Sequence, residues 1–125
     1  YFQATEIVLM TVQRETGDRG EALAREWLIS KSYTILQANF RCKYGEIDVV
    51  ARDADTLVFV EVKHYKSGSL RTPYEAVSKS KQRKIIQTAQ YYLMQNPQLN
   101  QSMRFDVILF ENGKLLDHLK GAFFV

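Results

Sequence analysis

The chain is a succession of apolar runs of strand length broken by polar turns, and its densest run is residues 45–63, GEIDVVARDADTLVFVEVK. Val, Ile, Leu and Phe fill most of this stretch, and Asp53-Ala54-Asp55 divides it. The pattern predicts two β-strands joined by a tight polar turn. Side chains alternate faces along a strand, so Leu57, Phe59, Glu61 and Lys63 share one face and Val58, Val60 and Val62 the other. Apolar residues on both faces predict a strand inside a sheet, covered on each side.

The flanking patterns complete a set of elements. Residues 17–31 predict a first helix, with Asp18 as its cap and Ala24 and Leu28 as its stripe beside Trp27; Glu21 extends that stripe backwards. Tyr33 to Phe40 alternates as a first strand, and Arg41-Cys42-Lys43-Tyr44-Gly45 forms a basic turn into the hairpin. Pro73 is expected to open the longest helix, which runs to about Gln95 before Asn96-Pro97 stops it. The stripe Ile86, Ala89 and Leu93 turns Gln82 and Lys79 toward the sheet and leaves Lys81, Arg83 and Lys84 outside. Arg104 to Phe110 predicts a further strand, and Asn112-Gly113 a hairpin turn before Lys114 to Leu119. The apolar end Gly121 to Val125 predicts docking on the core or on a second subunit, as in a homodimer. His64 falls on the face opposite Lys63, and His118 has no identifiable partner.

Composition narrows the class. At 125 residues the chain suits one domain. Tyr1-Phe2-Gln3 reads as a tag remnant, residues 4–16 as an N-terminal arm and residues 17–125 as the domain. An apolar fraction of 46% and a charged fraction of 25% are those of an ordinary globular protein. With no run of transmembrane length, no visible signal peptide and a single cysteine, Cys42, the expected setting is the reducing cytoplasm, away from membranes. Cys42 itself reads as a half-buried thiol. The net charge of +3 gathers at Arg41 and Lys43, at Lys63 to Arg71, and at Lys79 to Lys84. Such clusters suit a nucleic-acid backbone, and suit a solvated face equally well. The Ser/Gly-containing loop after the hairpin carries two of these charges, Lys66 and Arg71.

Three charges sit in the apolar hairpin itself: Asp48, Glu61 and Lys63. Burying a carboxylate or an ammonium costs several kcal/mol unless it is paired or metal-bound. A two-residue turn at Ala54-Asp55, or a four-residue one, sets Asp48 opposite Glu61 with Cβ atoms about 4.5–5.5 Å apart, whereas a three-residue turn sets it opposite Val60. Two carboxylates that close call for a cation, and Mg²⁺ or Mn²⁺ suits such oxygen ligands, aided by the Val62 carbonyl. The set Asp-x12-Glu-x-Lys is what a metal-dependent phosphodiesterase needs, with Lys63 placed to orient water and offset developing charge. Glu21 is either a third ligand or a first-turn glutamate answering the helix dipole.

The run NFRCKYGEIDVVARDADTLVFVEVK followed by PYEAVSKSKQRKI resembles the YraN-type family of predicted endonucleases, over about residues 16–120. That resemblance implies a restriction-endonuclease-like PD-(D/E)xK fold near the archaeal Holliday junction resolvases: α/β, three layers, a central mixed sheet flanked by helices. It puts Asp48, Glu61 and Lys63 at catalytic positions and matches Glu21 to a first-helix glutamate. It further implies accessory polar residues on the second helix, where Lys79, Gln82 and Gln87 are candidates, and Gln87 with Tyr91 fits a Gln-x3-Tyr pattern of RecB-like nucleases. The family's usual arginine two residues after the lysine is Tyr65 in this chain. The expected function is a Mg²⁺- or Mn²⁺-dependent endonuclease on DNA, including branched or recombination intermediates. The alternatives are a non-catalytic nucleic-acid-binding module on the same fold and a metal-independent, paired-carboxylate hydrolase.

Overall fold

A computed structural model describes residues 19–66, 77–99 and 102–125. The chain is helical over residues 19–30 (α1), then forms β1 (Thr34–Cys42), β2 (Gly45–Asp53) and β3 (Thr56–Tyr65). Helix α2 (Lys79–Gln95) follows, then β4 (Ser102–Glu111) and β5 (Lys114–Phe123). The strands make one sheet in the order β1-β2-β3-β4-β5. β3 and β4 run parallel and every other neighbouring pair antiparallel. α2 lies on the connection between the two parallel strands, which a tight turn cannot join. This is an α/β arrangement on a mixed sheet. The expected N-terminal arm, the first two residues of the expected first helix and most of the loop after β3 lie outside the described residues.

The hairpin turn has two residues, with Asp53 paired to Thr56 and Ala54 at a left-handed φ of 52°. The sheet is covered on both faces, as the β3 pattern predicts. Leu57 and Phe59 join Val50, Ile85, Ala89 and Tyr92 on the α2 side. Val58 and Val60 join Val49, Ala51, Ala24 and Leu28 on the α1 side. At about 25 cal/mol per Å² of apolar surface, filling these two layers is the main drive to fold.

Two boundaries differ from the sequence reading. β1 runs on to Cys42, because its end pairs with the start of β2 through Cys42 and Gly45. The described helix α2 starts at Lys79, where Ser78 in an extended conformation caps it, its hydroxyl accepting from the Lys81 amide at 3.1 Å, while Pro73, the expected opening, lies outside the described residues. The stripe of α2 is also turned. Ile85, Thr88, Ala89 and Tyr92 are buried, while Ile86 and Leu93 lie only half-buried at the margin. Tyr92 decides the rotation, since its ring meets Phe40 and Phe59 edge-on at 5.0 and 5.9 Å. The exposed Lys79 therefore does not face the sheet.

The far side of the sheet holds a polar cluster that the sequence reading missed. Asp106, fully buried on β4, accepts from Arg104 Nε at 2.8 Å and from the Gly121 amide at 3.1 Å. It also meets His118 Nε2 at 2.8 Å. The other ring nitrogen, Nδ1, accepts from Trp27 Nε1 at 3.0 Å, so the proton sits on Nε2 and is donated to Asp106. Arg104 reaches onward to the Tyr33 hydroxyl at 2.8 Å and to Asp53 at 3.2 Å. Burial drives the Asp106 carboxyl upward, but hydrogen bonds from His118, Arg104 and Gly121 outweigh it and hold the group below the usual carboxylate range. Burial pushes the Tyr33 hydroxyl up to about 12. The C-terminal segment docks on the core beside this cluster, Phe123 stacking on Phe105 at 4.9 Å, while Phe124 and Val125 stay exposed.

Removing the acceptor from this cluster leaves Arg104, His118 and the Gly121 amide short of a partner. Asp106→Ala is expected to cost about 3–5 kcal/mol in urea unfolding. Because the folded carboxyl lies below its ordinary value of 3.8, the stabilisation is complete above that value and fades as pH falls through the lower folded value. The gap between parent and variant should therefore be constant above about pH 5 and shrink in acid; a gap that widens in acid would refute the assignment.

Candidate active site

The ladder between β2 and β3 stops at the Val49–Val60 pair. One step further the register sets Asp48 against Glu61, but the strands have begun to part there. The Asp48 carboxylate takes over the partnership, its Oδ2 accepting from the Val62 amide at 2.8 Å. The parting also turns β2: Ile47 packs on the α2 side with Val50, where strict alternation would keep it with Val49 and Ala51. Asp48 and Glu61 are 8% and 6% exposed, so both carboxylates are almost dry.

Two lysines answer them. Lys63, two residues on along β3, holds Nζ 3.6 Å from Glu61 Oε1. Lys81, from the first turn of α2, holds Nζ 3.9 Å from the same oxygen. The sequence reading left Lys81 outside; it points inward because the stripe centres on Ile85, and four residues back from Ile85 is Lys81. The signal was present in the choice between two adjacent isoleucines.

Even with two cations at hand, burial dominates. It raises the Glu61 carboxyl above its ordinary value, against the pull of Lys81 and Lys63. The Asp48 carboxyl is pushed up to about 7, first by burial and then by the Glu61 charge, with the Val62 amide pulling the other way. A pair of hard oxygen donors that repel each other in a dry cleft is deficient in positive charge. Mg²⁺, which binds through one or two carboxylates and keeps several waters, fits that donor set.

The remaining expected site residues divide. Glu21 is half-buried near the start of α1, the helix that packs on the Val49/Val60 side of the sheet. Among the described residues no group of three or more His, Cys, Asp or Glu side chains comes together. Gln82 is turned aside, its amide donating to the Val77 carbonyl at 3.1 Å. Arg41 pairs with Glu46 at 3.0 Å on the surface. Lys43 lies over the Tyr44 ring at 5.2 Å, and Gln87 is exposed on α2. Lys66 and Lys79 are exposed, and Arg71 lies outside the described residues. Tyr65, where the resemblance would have an arginine, packs half-buried against the core. Cys42 is half-buried and free, as expected.

The fold and site together define an α/β domain with a buried carboxylate pair at the split edge of a mixed sheet. A family model described as "Uncharacterised protein family UPF0102" matches residues 20–110. The chain is 44% identical over 113 residues to a UPF0102 protein of Geobacter metallireducens, covering 88% of this chain and 93% of that one. It is 42% identical over 111 residues to one of Clostridioides difficile, covering 88% and 97%. The chain belongs to this family.

Asp48→Asn keeps an acceptor for the Val62 amide and removes the repulsion with Glu61. In EDTA the variant is expected to melt several degrees above the parent at pH 8. The folded Asp48 carboxyl lies above its ordinary 3.8, so the folded state binds the extra proton, and parent stability falls as pH rises from about 4 to about 7. The advantage of Asp48→Asn should grow across that window and level off above it. Equal melting temperatures at pH 8 would show that the two carboxylates do not strain each other.

Proposed function

We propose that this chain is a metal-dependent endonuclease of the restriction-endonuclease-like class, hydrolysing phosphodiester bonds in DNA. One observation carries the reading: Asp48 and Glu61, buried side by side and both raised, with the two lysine ammoniums on Glu61. A purely structural ion cluster gains nothing from two repelling carboxylates, as the satisfied Asp106 cluster on the opposite face illustrates.

Asp48 and Glu61 would hold Mg²⁺ or Mn²⁺, which when bound polarises a scissile phosphate and acidifies a bound water. The Val62 amide fixes the Asp48 carboxylate, so its rotamer is set before any ligand arrives. Lys63 and Lys81 place two ammoniums at the mouth of the cleft, where phosphate charge grows as the bond breaks. Lys81 comes from α2 and Lys63 from β3, so substrate would be gripped between helix and sheet. Among the described residues no helix is long and apolar enough to cross a membrane.

A labelled panel of duplex, single strand, flap and four-way junction, each with Mg²⁺, Mn²⁺ or EDTA, tests this. Cutting is expected with metal only, lost in Asp48→Ala and reduced about 100-fold or more in Lys63→Ala. Cutting that survives Asp48→Ala would place the chemistry elsewhere. Binding without cutting under either metal would favour a binding module on the same fold.

A further inference from the structure

A groove of about 380 Å³ opens between the β1–β2 turn and α2. It is lined by Lys43 and Tyr44 from the turn and by Gln87, Gln90, Tyr91 and Met94 from the helix. Its volume lies in the range of pockets that enclose small planar ligands. Its lining mixes aromatic rings, amides and a cation, and none of these six residues is a carboxylate.

The aromatic part is built from the core outward. Tyr91 lies 6.4 Å from the buried Phe40 ring and 6.0 Å from Tyr44, which is 40% exposed. The Gln95 amide donates to the Tyr91 hydroxyl at 3.1 Å and holds that ring in place. The turn is pressed against α2 at Gly45: a Cβ there would stand 3.3 Å from Thr88 Oγ1, and φ is +148°. Gly45 thus lets Tyr44 sit close to the helix. Met94, 78% exposed, gives the outer wall a flexible apolar surface.

We infer that this groove holds an unpaired nucleobase, so that the substrate carries a single-stranded segment beside the cut. The inference rests on the nuclease reading for the class of its ligand. An exposed tyrosine next to a second ring is a stacking platform that any base can use. Gln87 and Gln90 bring donors and acceptors for a base edge, and Lys43 brings positive charge for the adjoining phosphate. Bases within a continuous duplex present no free face, so the groove discriminates against them. Three residues separate Gly45 from Asp48, about 10 Å at 3.3 Å per residue.

The test is equilibrium binding in EDTA of a short single strand carrying a fluorescent base analogue, against a duplex of the same sequence. Tyr44→Ala is expected to weaken single-strand binding roughly tenfold and to abolish quenching of the analogue. Tyr44→Trp should restore both, and duplex binding should not change. Tyr44 lies in an exposed turn, and matching melting temperatures would exclude a folding effect. Equal losses on single strand and duplex, or no loss on either, would overturn the inference. Binding in EDTA needs no chemistry, so the two readings fail separately. Intact quenching without cleavage removes the nuclease alone, and metal-dependent cleavage with no effect of Tyr44→Ala on single strands removes the groove alone.

Discussion

The hydrogen bond from the Val62 amide to the Asp48 carboxylate stands where the sheet ends and the cleft begins. A backbone amide at that depth must find an acceptor, and past the Val49–Val60 pair the neighbouring strand no longer offers one. A side-chain carboxylate supplies it. The same bond therefore closes the ladder and pins an anion beside Glu61. An apolar residue at position 48 would leave the amide orphaned, so the charge is tied to the fold as well as to any chemistry. Lys63 follows from strand alternation and Lys81 from the cap at Ser78, and both meet the charge that this bond has placed.

The two faces of the sheet treat buried carboxylates in opposite ways. Asp106 is surrounded by donors from four residues' worth of structure on α1, β4 and β5, directly or through His118, and its carboxyl is held low. Asp48 and Glu61 face each other, and their carboxyls are driven up. The first arrangement ties the elements together: Trp27 on α1, His118 on β5 and Arg104 on β4 meet through one acid. The second is fixed at Asp48 by the Val62 amide and at Glu61 by the two lysines. Strain of this kind persists only where surrounding structure over-determines it.

Much of this was legible in the sequence. The apolar runs gave the hairpin, but its turn length stayed open until the pairing of Asp53 with Thr56 fixed the register that sets Asp48 toward Glu61. Asp48, Glu61 and Lys63 stood out as charges in an apolar strand. The rotation of α2 did not, since Ile85 and Ile86 are adjacent and equally apolar, and only the rings of Phe40 and Phe59 select Tyr92 and with it Ile85. Lys81 was misplaced for that reason. The Asp106 cluster was hidden because its members lie far apart in the chain, 91 residues between Trp27 and His118, and nothing local marks a histidine as the partner of a distant tryptophan. Glu21 was expected on the strength of helix pattern and resemblance, while among the described residues no third acidic side chain completes a group of three with Asp48 and Glu61.

Helix α2 is shared by two places on the surface. Lys81 sits in its first turn at the carboxylate cleft, and Gln87 and Tyr91 sit six and ten residues later at the groove beside the β1–β2 turn. At 1.5 Å per residue these lie about 9 and 15 Å along the axis from Lys81. A rod of fixed pitch is a ruler. On the proposed reading, the distance from a captured base to the broken bond is set by helix geometry and not by base sequence. Such a protein would choose where to cut by measuring from a structural landmark in its substrate.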